Sequence, residues 1–409
     1  MLKTERSRVM GEPVLITGYG IVSAIGLNKE EVAVSLLKEE TGIGRLHYLE
    51  TEHTEFPVGE VKLSNGEMAA LLGITSEIPQ TRTSLLGMLA LKEALAEASL
   101  EGSWLEQTGF ISGTTVGGMD KSELYYLDFL SNDTKNEFIS THDCGACTEM
   151  IADFIGGFSF VTTISTACSS AANALVFGAN MIRSGQADIV VAGGSECLTK
   201  FHLNGFNSLM ILDTQPCRPF DATRSGLNLG EGAAYLVLES QASVRKRNVK
   251  PVAVLSGYGN SCDAFHQTAS SPDGEGAFRA MTQALQDAGM TCEDVDYVNA
   301  HGTGTLNNDL SETIAMKRLF GEKIPPVSST KSYTGHTTSA AGAIEAVICL
   351  LAMKHRFLPV NLNWKNRMEE GIIPVLRSEL STPLKHVLCN SFGFGGNDSS
   401  LLLTNLYGV

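Results

Sequence analysis

The stretch "VLITGYGIVS", residues 14–23, has a second copy in the chain, "VAVLSGYGNS" at residues 252–261. Both copies run from an apolar strand through Thr or Ser into Gly-Tyr-Gly. Three more pairs follow in the same order along the chain: "GFISGTTVGG" (109–118) with "VDYVNAHGTGT" (295–305), "STACSSAANAL" (165–175) with "STKSYTGHTTSAAGAI" (329–344), and "IVVAGGSE" (189–196) with "VLCNSFGFGGND" (387–398). Four pairs in matching order predict a duplicated chain, with an N-terminal half at 1–245 and a C-terminal half at 246–409.

Each half alternates short apolar strands with longer helical patterns, which predicts βαβ units, largely parallel sheets and an α/β fold. Helices are expected at four places: 83–97, 168–184, 275–288 and 336–354. The second and fourth are apolar nearly all round, as buried helices are. We therefore expect two packed sheets with these two helices between them, an arrangement that brings Cys168 close to His336.

Composition and charge exclude several classes of protein. Forty-five acidic residues against 30 basic ones give a net charge of −15, which disfavours non-specific nucleic-acid binding. The polar N-terminus is unlike a signal peptide, and the most apolar late segment, "AAGAIEAVICLLAMKH", contains Glu345 and is too short for a membrane span. Nine cysteines without a framework spacing suit a reducing compartment. A cytoplasmic protein without a membrane or nucleic-acid partner is expected.

Several residues whose side chains are able to take part in catalysis follow predicted strands. His301 follows "VDYVNA", Lys331 and His336 lie in "STKSYTGH", and Cys168 lies before a small-residue helix. Ligand sites in α/β sheets collect at the carboxyl ends of strands. Taken singly, each residue has an ordinary explanation: a packing cysteine, a structural histidine or a surface lysine. Alternatively, Cys168 is a nucleophile whose thiolate is favoured by a helix N-terminus. Neither "GYGIVSAIG" nor "GFGGND" has dinucleotide-loop spacing, so a nicotinamide cofactor is not expected.

Together, "TACSSA", "NAHGTGT", "KSYTGHTTSAAGAIE" and "FGFGG" resemble the β-ketoacyl-acyl carrier protein synthases, most closely the elongating kind with a Cys-His-His triad. The resemblance extends over nearly the whole chain. It implies a thiolase-like duplicated α/β fold in five layers. It also implies decarboxylative condensation of a Cys-bound acyl chain with a malonyl carrier, giving a 3-oxoacyl carrier in fatty-acid or specialised lipid biosynthesis.

By this resemblance Cys168 is the nucleophile that holds the acyl chain. His301 and His336 stabilise the negative charge formed on decarboxylation. Lys331 supports the histidines and pairs with Glu345, since a buried carboxylate without a cation is costly.

The resemblance also implies an oxyanion hole and a gate. The backbone N–H groups of Cys168 and Phe394 would form the hole. The Phe394 ring would be the gate, given freedom to move by Gly393 and Gly395. Further residues are expected to contact substrate: Thr303, Thr305 and Thr268 on the pantetheine arm, and Phe201 in the acyl pocket.

No cofactor and no metal are expected, because the phosphopantetheine arm arrives on the acyl carrier protein. An exposed sheet edge favours a homodimer, and a heterodimer with a related subunit is the alternative. An acidic carrier requires a basic patch, for which Arg82 and the cluster at 245–250 are the candidates.

The chain departs from the family pattern at Leu306, Asn308 and Asp398, which puts the usual carrier or substrate in doubt. The segment "FISTHDCGACTEM" (138–150) contains His142, Cys144 and Cys147, a spacing that also suits zinc or redox chemistry. We interpret it as pocket lining with altered acyl selectivity.

Two other functions stay open. A thiolase acting on coenzyme A would use a second catalytic cysteine, and Cys389 lies in the right strand, although its loop reads "SFGFGG". A non-catalytic chain-length-factor-like partner subunit is the other alternative, and the retained Cys168 argues against it.

Overall fold

The computed structural model describes residues 12–75 and 80–407. Within them the chain forms ten strands: β1 Val14–Ser23, β2 Thr108–Gly113, β3 Phe160–Ile164, β4 Ile189–Glu196, β5 Gly232–Glu239, β6 Ala253–Cys262, β7 Tyr297–Asn299, β8 Val327–Ser328, β9 His386–Gly393 and β10 Asn397–Asn405. The same described residues form thirteen α-helices: α1 Lys29–Leu37, α2 Asn65–Leu72, α3 Arg82–Glu97, α4 Met119–Phe129, α5 Asn136–Ile139, α6 Cys144–Ile155, α7 Ser170–Arg183, α8 Lys200–Ser208, α9 Gln241–Arg247, α10 Glu275–Ala288, α11 Leu306–Phe320, α12 Lys331–Thr334 and α13 Ala341–His355.

The strand order shows the duplication directly. The order is β3-β2-β4-β5-β1 in the first half and, read from the other edge, β8-β7-β9-β10-β6 in the second. The third and second strands of each half are parallel, as are the second and fourth, and the fifth runs antiparallel between the fourth and first. The two halves therefore have the same topology, as the repeated sequence motifs predict. The expectation of largely parallel sheets is wrong, however, because five of the nine strand pairings among the described residues are antiparallel.

The two sets of five strands are joined along one short seam. Val14, Leu15 and Ile16 of β1 pair antiparallel with residues 253–255 of β6. The expectation of two separate packed sheets is thus wrong in this detail, because hydrogen bonds make one ten-stranded sheet. Along most of their length the two sets still face each other across the helices α7 and α13, each of which packs on strands of both halves. With α3 outside one set and α10 outside the other, the layers alternate α, β, α, β, α.

The central helix α13 is buried over nearly its whole length. Its apolar stretch, Thr338–His355, has the length and composition of a membrane span, but 89% of it is buried inside the protein. It is therefore the core helix of the fold.

The two outer helices occur where the sequence predicts them, whereas the two central helices begin later. Helix α7 begins at Ser170 and α13 at Ala341, so Cys168 and His336 lie in the turns before them. The backbone of Ala167 is in the left-handed region (φ 52°), which a helix cannot include. The N–H of His336 donates to the carbonyl of Asn228 at 2.7 Å, so its backbone is committed to the neighbouring segment.

Close packing of a helix on each strand explains why Gly-Tyr-Gly occurs in both halves. A Cβ on Gly20 would lie 2.1 Å from the carbonyl oxygen of Ala90 in α3, and one on Gly259 would lie 2.0 Å from that of Ala280 in α10. The helix backbone therefore lies directly on the strand in both halves, and only glycine fits.

We expect Gly20→Val and Gly259→Val each to lower the free energy of unfolding by about 3 kcal/mol, because the new side chain meets backbone atoms that cannot move aside. Chemical denaturation measures this. Gly66→Ala is the control, since a Cβ there meets nothing within 4 Å. Unchanged stability in the two valine variants would contradict the packing argument.

Candidate active site

Five of the predicted residues meet in one buried place. Cys168 follows β3, His301 follows β7, Lys331 and His336 follow β8, and Glu345 lies in α13. Each is at most 6% exposed. The carboxyl ends of β3, β7 and β8, which belong to the parallel parts of the sheet, thus bring residues of both halves to one site.

The sulfur of Cys168 is held by three groups. Nε2 of His336 lies 3.1 Å from Sγ, and the backbone N–H groups of Phe394 and of Cys168 itself hydrogen-bond the sulfur. Burial is nevertheless the largest influence and raises the pKa of the thiol to about 11, against the lowering effect of Lys331. The expectation of a thiolate stabilised by the helix N-terminus is therefore wrong for the resting site, since desolvation dominates. The resting residue is a thiol.

The two histidines are neutral. Their rings stand nearly perpendicular, at 86°, with centroids 5.3 Å apart. Burial lowers the pKa of both imidazoles well below the usual value, and the charge of Lys331 lowers both further.

Lys331 joins the predicted carboxylate to one of the histidines. Its Nζ lies 2.5 Å from Oε1 of Glu345 and 3.3 Å from Nδ1 of His301. Burial raises the pKa of Glu345 to about 7, and the ammonium opposes that rise. An ammonium can only donate, so Nδ1 of His301 accepts and its proton is on Nε2. The tautomer of His301 is thereby fixed by its neighbour.

His336 has no such constraint. Its Nδ1 lacks a hydrogen-bond partner among the residues that the structure describes. Nothing there fixes which nitrogen carries the proton, so this imidazole is free to accept from the thiol at Nε2 or to donate from the same atom.

Glu312 is a site residue that sequence reasoning missed. Its carboxylate accepts from the backbone N–H of His301 at 2.9 Å, from that of Gly302 at 2.8 Å, and from the side-chain amide of Asn390 at 3.0 Å. Burial raises the pKa of Glu312 to about 7. It anchors the loop that carries His301. An acidic residue on α11 gives no sequence signal for this role, because the helix pattern does not show what it faces.

A cavity of about 200 Å³ leads to the sulfur. The lining includes Cys168, both histidines and the predicted substrate-contacting and gate residues: Thr268, Thr303, Thr305, Gly393, Phe394 and Gly395. Phe206, which sequence reasoning missed, stacks on Phe394 with ring centroids 5.9 Å apart. Phe201, predicted in the acyl pocket, does not line this cavity and is 58% exposed. Phe201 and Phe206 both lie on α8, and the orientation of this helix decides which of the two faces the cavity.

Of the candidate docking residues, Arg82 and Arg247 have structural partners, whereas Arg245, Lys246 and Lys250 of the 245–250 cluster are exposed. Arg82 is buried, and its guanidinium binds both carboxylate oxygens of Glu231. Arg247 is buried against Glu239 and donates to the carbonyls of Ala98 and Ser99. Neither guanidinium is available to a carrier, because each is committed to neutralising a buried carboxylate.

In the segment 138–150, the side chains of His142 and Cys147 contact different partners. Nδ1 of His142 lies 2.8 Å from Oγ of Ser122, whereas Sγ of Cys147 lies 3.1 Å from Oγ1 of Thr81. Residues 12–75 and 80–407 contain no group of three or more His, Cys, Asp or Glu placed to hold a metal ion.

Comparisons with known proteins agree on one family. The family model described as "Beta-ketoacyl synthase, N-terminal domain" matches residues 11–243, and that of the C-terminal domain matches 252–365. The 3-oxoacyl-[acyl-carrier-protein] synthase 2 of Vibrio cholerae is 32% identical over 96% of this chain and 99% of its own. That of Staphylococcus aureus strain N315 is 31% identical over 95% and 97%.

Solved structures give the same result. The ishigamide ketosynthase/chain length factor superposes with a TM-score of 0.89 at 30% identity, covering 97% of this chain and 99% of its own. A type II polyketide synthase acyl-carrier protein in complex with its ketosynthase, bound to the hexaketide, provides a second match, with a TM-score of 0.85 at 27% identity over 97% and 100%.

The thiol state of Cys168 predicts how its alkylation depends on pH. Because burial raises its pKa, the thiolate fraction and the rate with iodoacetamide should rise about tenfold per pH unit from about pH 7 to about pH 10. Peptide mass spectrometry follows the modified site, with the exposed Cys262 as internal reference. A rate that levels off below about pH 8 would mean that the thiolate is already stable at rest.

Proposed function

This chain belongs to the β-ketoacyl synthase family, and we propose that Cys168, His301 and His336 carry out its condensation reaction. It is an acyl-transferring condensing enzyme, a β-ketoacyl-acyl carrier protein synthase. The single observation that supports the residue assignment is the thiol of Cys168 lying against a neutral imidazole and two backbone N–H groups. The half up to residue 245 supplies the nucleophile, and the half from 246 supplies the histidines and Lys331.

In the first step, His336 accepts the thiol proton at Nε2 and the sulfur attacks the thioester of the acyl carrier. The oxyanion that forms lies against the N–H groups of Cys168 and Phe394. The carbon–sulfur bond to the pantetheine then breaks. Its thiolate takes the proton from His336, which leaves a neutral imidazole and an acyl-cysteine.

In the second step, a malonyl carrier enters the cavity that Thr303, Thr305 and Thr268 line. Its carbon–carbon bond to the carboxylate breaks, carbon dioxide leaves, and negative charge collects on the thioester oxygen. The fixed Nε2–H of His301 donates to that oxygen, and His336 donates as well once its proton, which the first step leaves on Nδ1, has exchanged to Nε2. The carbanion carbon attacks the acyl-cysteine and the bond to Cys168 breaks. The Cys168 thiolate then takes up one proton from water, which completes the cycle. Each donor stabilises the charge by roughly 3–4 kcal/mol, as in an oxyanion hole.

For partners, we propose an acyl carrier protein and a second ketosynthase-like chain. One structural relative is a complex between an acyl-carrier protein and its ketosynthase, and another is a ketosynthase/chain length factor. Strand β3 is an edge of the described sheet, and Val161 on it is 38% exposed, so a second subunit has an open edge to pair with. A homodimer is the first expectation and a heterodimer the second. No cofactor beyond the carrier's own arm is proposed, and a cytoplasmic location is proposed for the enzyme.

A chain-length-factor role for this chain itself is disfavoured by the geometry. The Cys168 sulfur lies 3.1 Å from Nε2 of His336, and the rings of His336 and His301 have centroids 5.3 Å apart. Nζ of Lys331 in turn lies 3.3 Å from Nδ1 of His301 and 2.5 Å from Oε1 of Glu345. A subunit that only shapes a partner's pocket has no use for this arrangement.

The acyl-enzyme prediction concerns Cys168. Mixed with a panel of acyl carriers that includes aromatic and polyene chains, wild type should gain the mass of one acyl group, and Cys168→Ala should gain none, because the thioester has no sulfur to form on. Intact-mass analysis measures both, with Cys389→Ala as the matched control that keeps the adduct. An adduct lost in Cys389→Ala instead would favour the thiolase alternative. No adduct from any donor would favour the partner-subunit alternative.

The histidine prediction separates the two steps. His301→Ala should still form the acyl-enzyme but should release carbon dioxide from malonyl carrier about 10²–10³-fold more slowly, because one donor to the developing charge is lost. His336→Ala should slow both steps. Equal loss of acylation in the two variants would contradict the division of roles.

A further inference from the structure

Part of the lining of the entrance cavity comes from a segment without helix or strand. Residues 263–274 join β6 to α10, and Thr268, Ala269 and Ser270 of this segment line the cavity. We call these three residues the wall segment. Asn307, in the first turn of α11, lines the same cavity. A carrier's arm that reaches the sulfur has to pass along these residues.

Hydrogen bonds fix the chain on both sides of the wall segment. The N–H of Asp263 donates to the carbonyl of Gly396 at 2.8 Å, so the chain before the wall segment is bonded to the turn that carries the gate. The N–H of Gly395 donates to the carbonyl of Gln267, also at 2.8 Å. After the wall segment, the carbonyl of Ser271 accepts from a hydroxyl of α11 at 2.8 Å. The wall segment is therefore a short span between two fixed points.

One side chain holds this span. Oδ1 of Asn307 accepts from the N–H of Ser270 at 2.7 Å, and Nδ2 of Asn307 donates to the carbonyl of the same residue at 3.0 Å. Among the residues that the structure describes, no other hydrogen bond joins the wall segment to a residue outside 263–274. One amide thus pairs with both backbone groups of Ser270, as a neighbouring strand would.

The place of Asn307 separates its local effect from global stability. Asn307 is exposed, and exposed polar side chains contribute little to the free energy of unfolding. A loop that is already held in its binding conformation spares the cost of ordering it when a ligand arrives. Loss of the Asn307 amide would therefore weaken the binding of an arm without changing the groups around Cys168.

We propose that Asn307 is a positioning residue that holds the wall segment in place along the path of the carrier's pantetheine arm. The proposal rests on the proposed function, because only a carrier-bound substrate has an arm to guide. Asn307 acts through the backbone of Ser270 and not on the reacting atoms. It therefore affects the binding of carrier-bound substrates and leaves the chemical steps unchanged.

Hydrogen exchange of the free enzyme tests whether Asn307 holds the wall segment. In Asn307→Ala, amide exchange in the peptide that covers 263–274 should be about fivefold faster than in wild type, because the N–H of Ser270 loses its acceptor. Ser270→Ala is the matched control, since it keeps both backbone groups and should exchange like wild type. A direct contact between Asn307 and the arm would change nothing before substrate arrives, so this measurement separates the two roles.

Steady-state kinetics test whether the wall segment serves the carrier. We expect Asn307→Ala to raise KM for the malonyl carrier about five- to tenfold and to keep kcat within about twofold of wild type. Asn307→Asp keeps the acceptor for the N–H of Ser270 and should raise KM less. With malonyl-N-acetylcysteamine, a thioester that lacks the carrier and most of the arm, KM should be the same in all variants.

Four results would overturn the proposal: unchanged exchange in Asn307→Ala, an unchanged KM for the malonyl carrier, a fall in kcat at constant KM, or the same effects in Ser270→Ala. Thermal unfolding identifies a variant that misfolds, and if Asn307→Ala does so, Asn307→Asp decides between the same outcomes. Failure of the proposed function looks different, since wild type would then form no condensation product with any carrier, whereas the exchange of the free enzyme would still respond to Asn307→Ala.

Discussion

The ion pair between Lys331 and Glu345 is the interaction on which the active site depends. It places a single ammonium inside a buried site, where its charge lowers the pKa of Cys168 and of both histidines. Its second contact fixes the tautomer of His301. Glu345 balances the charge at 2.5 Å, which makes a buried cation tolerable. Among the described residues neither histidine is paired with a carboxylate, and Glu345 contacts Lys331 instead. Both therefore stay neutral, as donors to a developing oxyanion should be.

The duplication explains why these groups can meet at all. Cys168 follows β3, the third strand of the first half, and Lys331 follows β8, the corresponding strand of the second half. The helices that follow them, α7 and α13, lie side by side between the two sets of strands. A nucleophile from one half therefore faces an ion pair and two imidazoles from the other. The glycines of β1 and β6 support this arrangement from outside, since they let α3 and α10 lie directly on the strands.

Much of this could be predicted from sequence, because the motifs are local and repeated. Cys168, His301, Lys331 and His336 each follow a strand, and strand ends are readable from apolar runs and glycine-rich turns. Glu312 could not be found, because its role depends on which face of α11 meets the loop of His301. Phe206 of α8 lines the entrance cavity and Phe201 does not, and this could not be predicted because periodicity does not give the orientation of a short helix. Arg82 and Arg247 look like surface charges in the sequence, and their burial follows from acidic partners far away along the chain.

The central claim is that the Cys168 thiol and both imidazoles are uncharged at rest, while the Lys331 ammonium is balanced by Glu345. Nitrogen-15 NMR of histidine-labelled enzyme tests it most directly, with His301→Asn and His336→Asn used to assign the signals. Since burial lowers both pKa values, both imidazoles should keep neutral shifts from about pH 8 down to about pH 6, the interval in which an ordinary histidine titrates. His301 should also show its proton on Nε2. Protonation of either ring within that interval, or a proton on Nδ1 of His301, would contradict this account of the site.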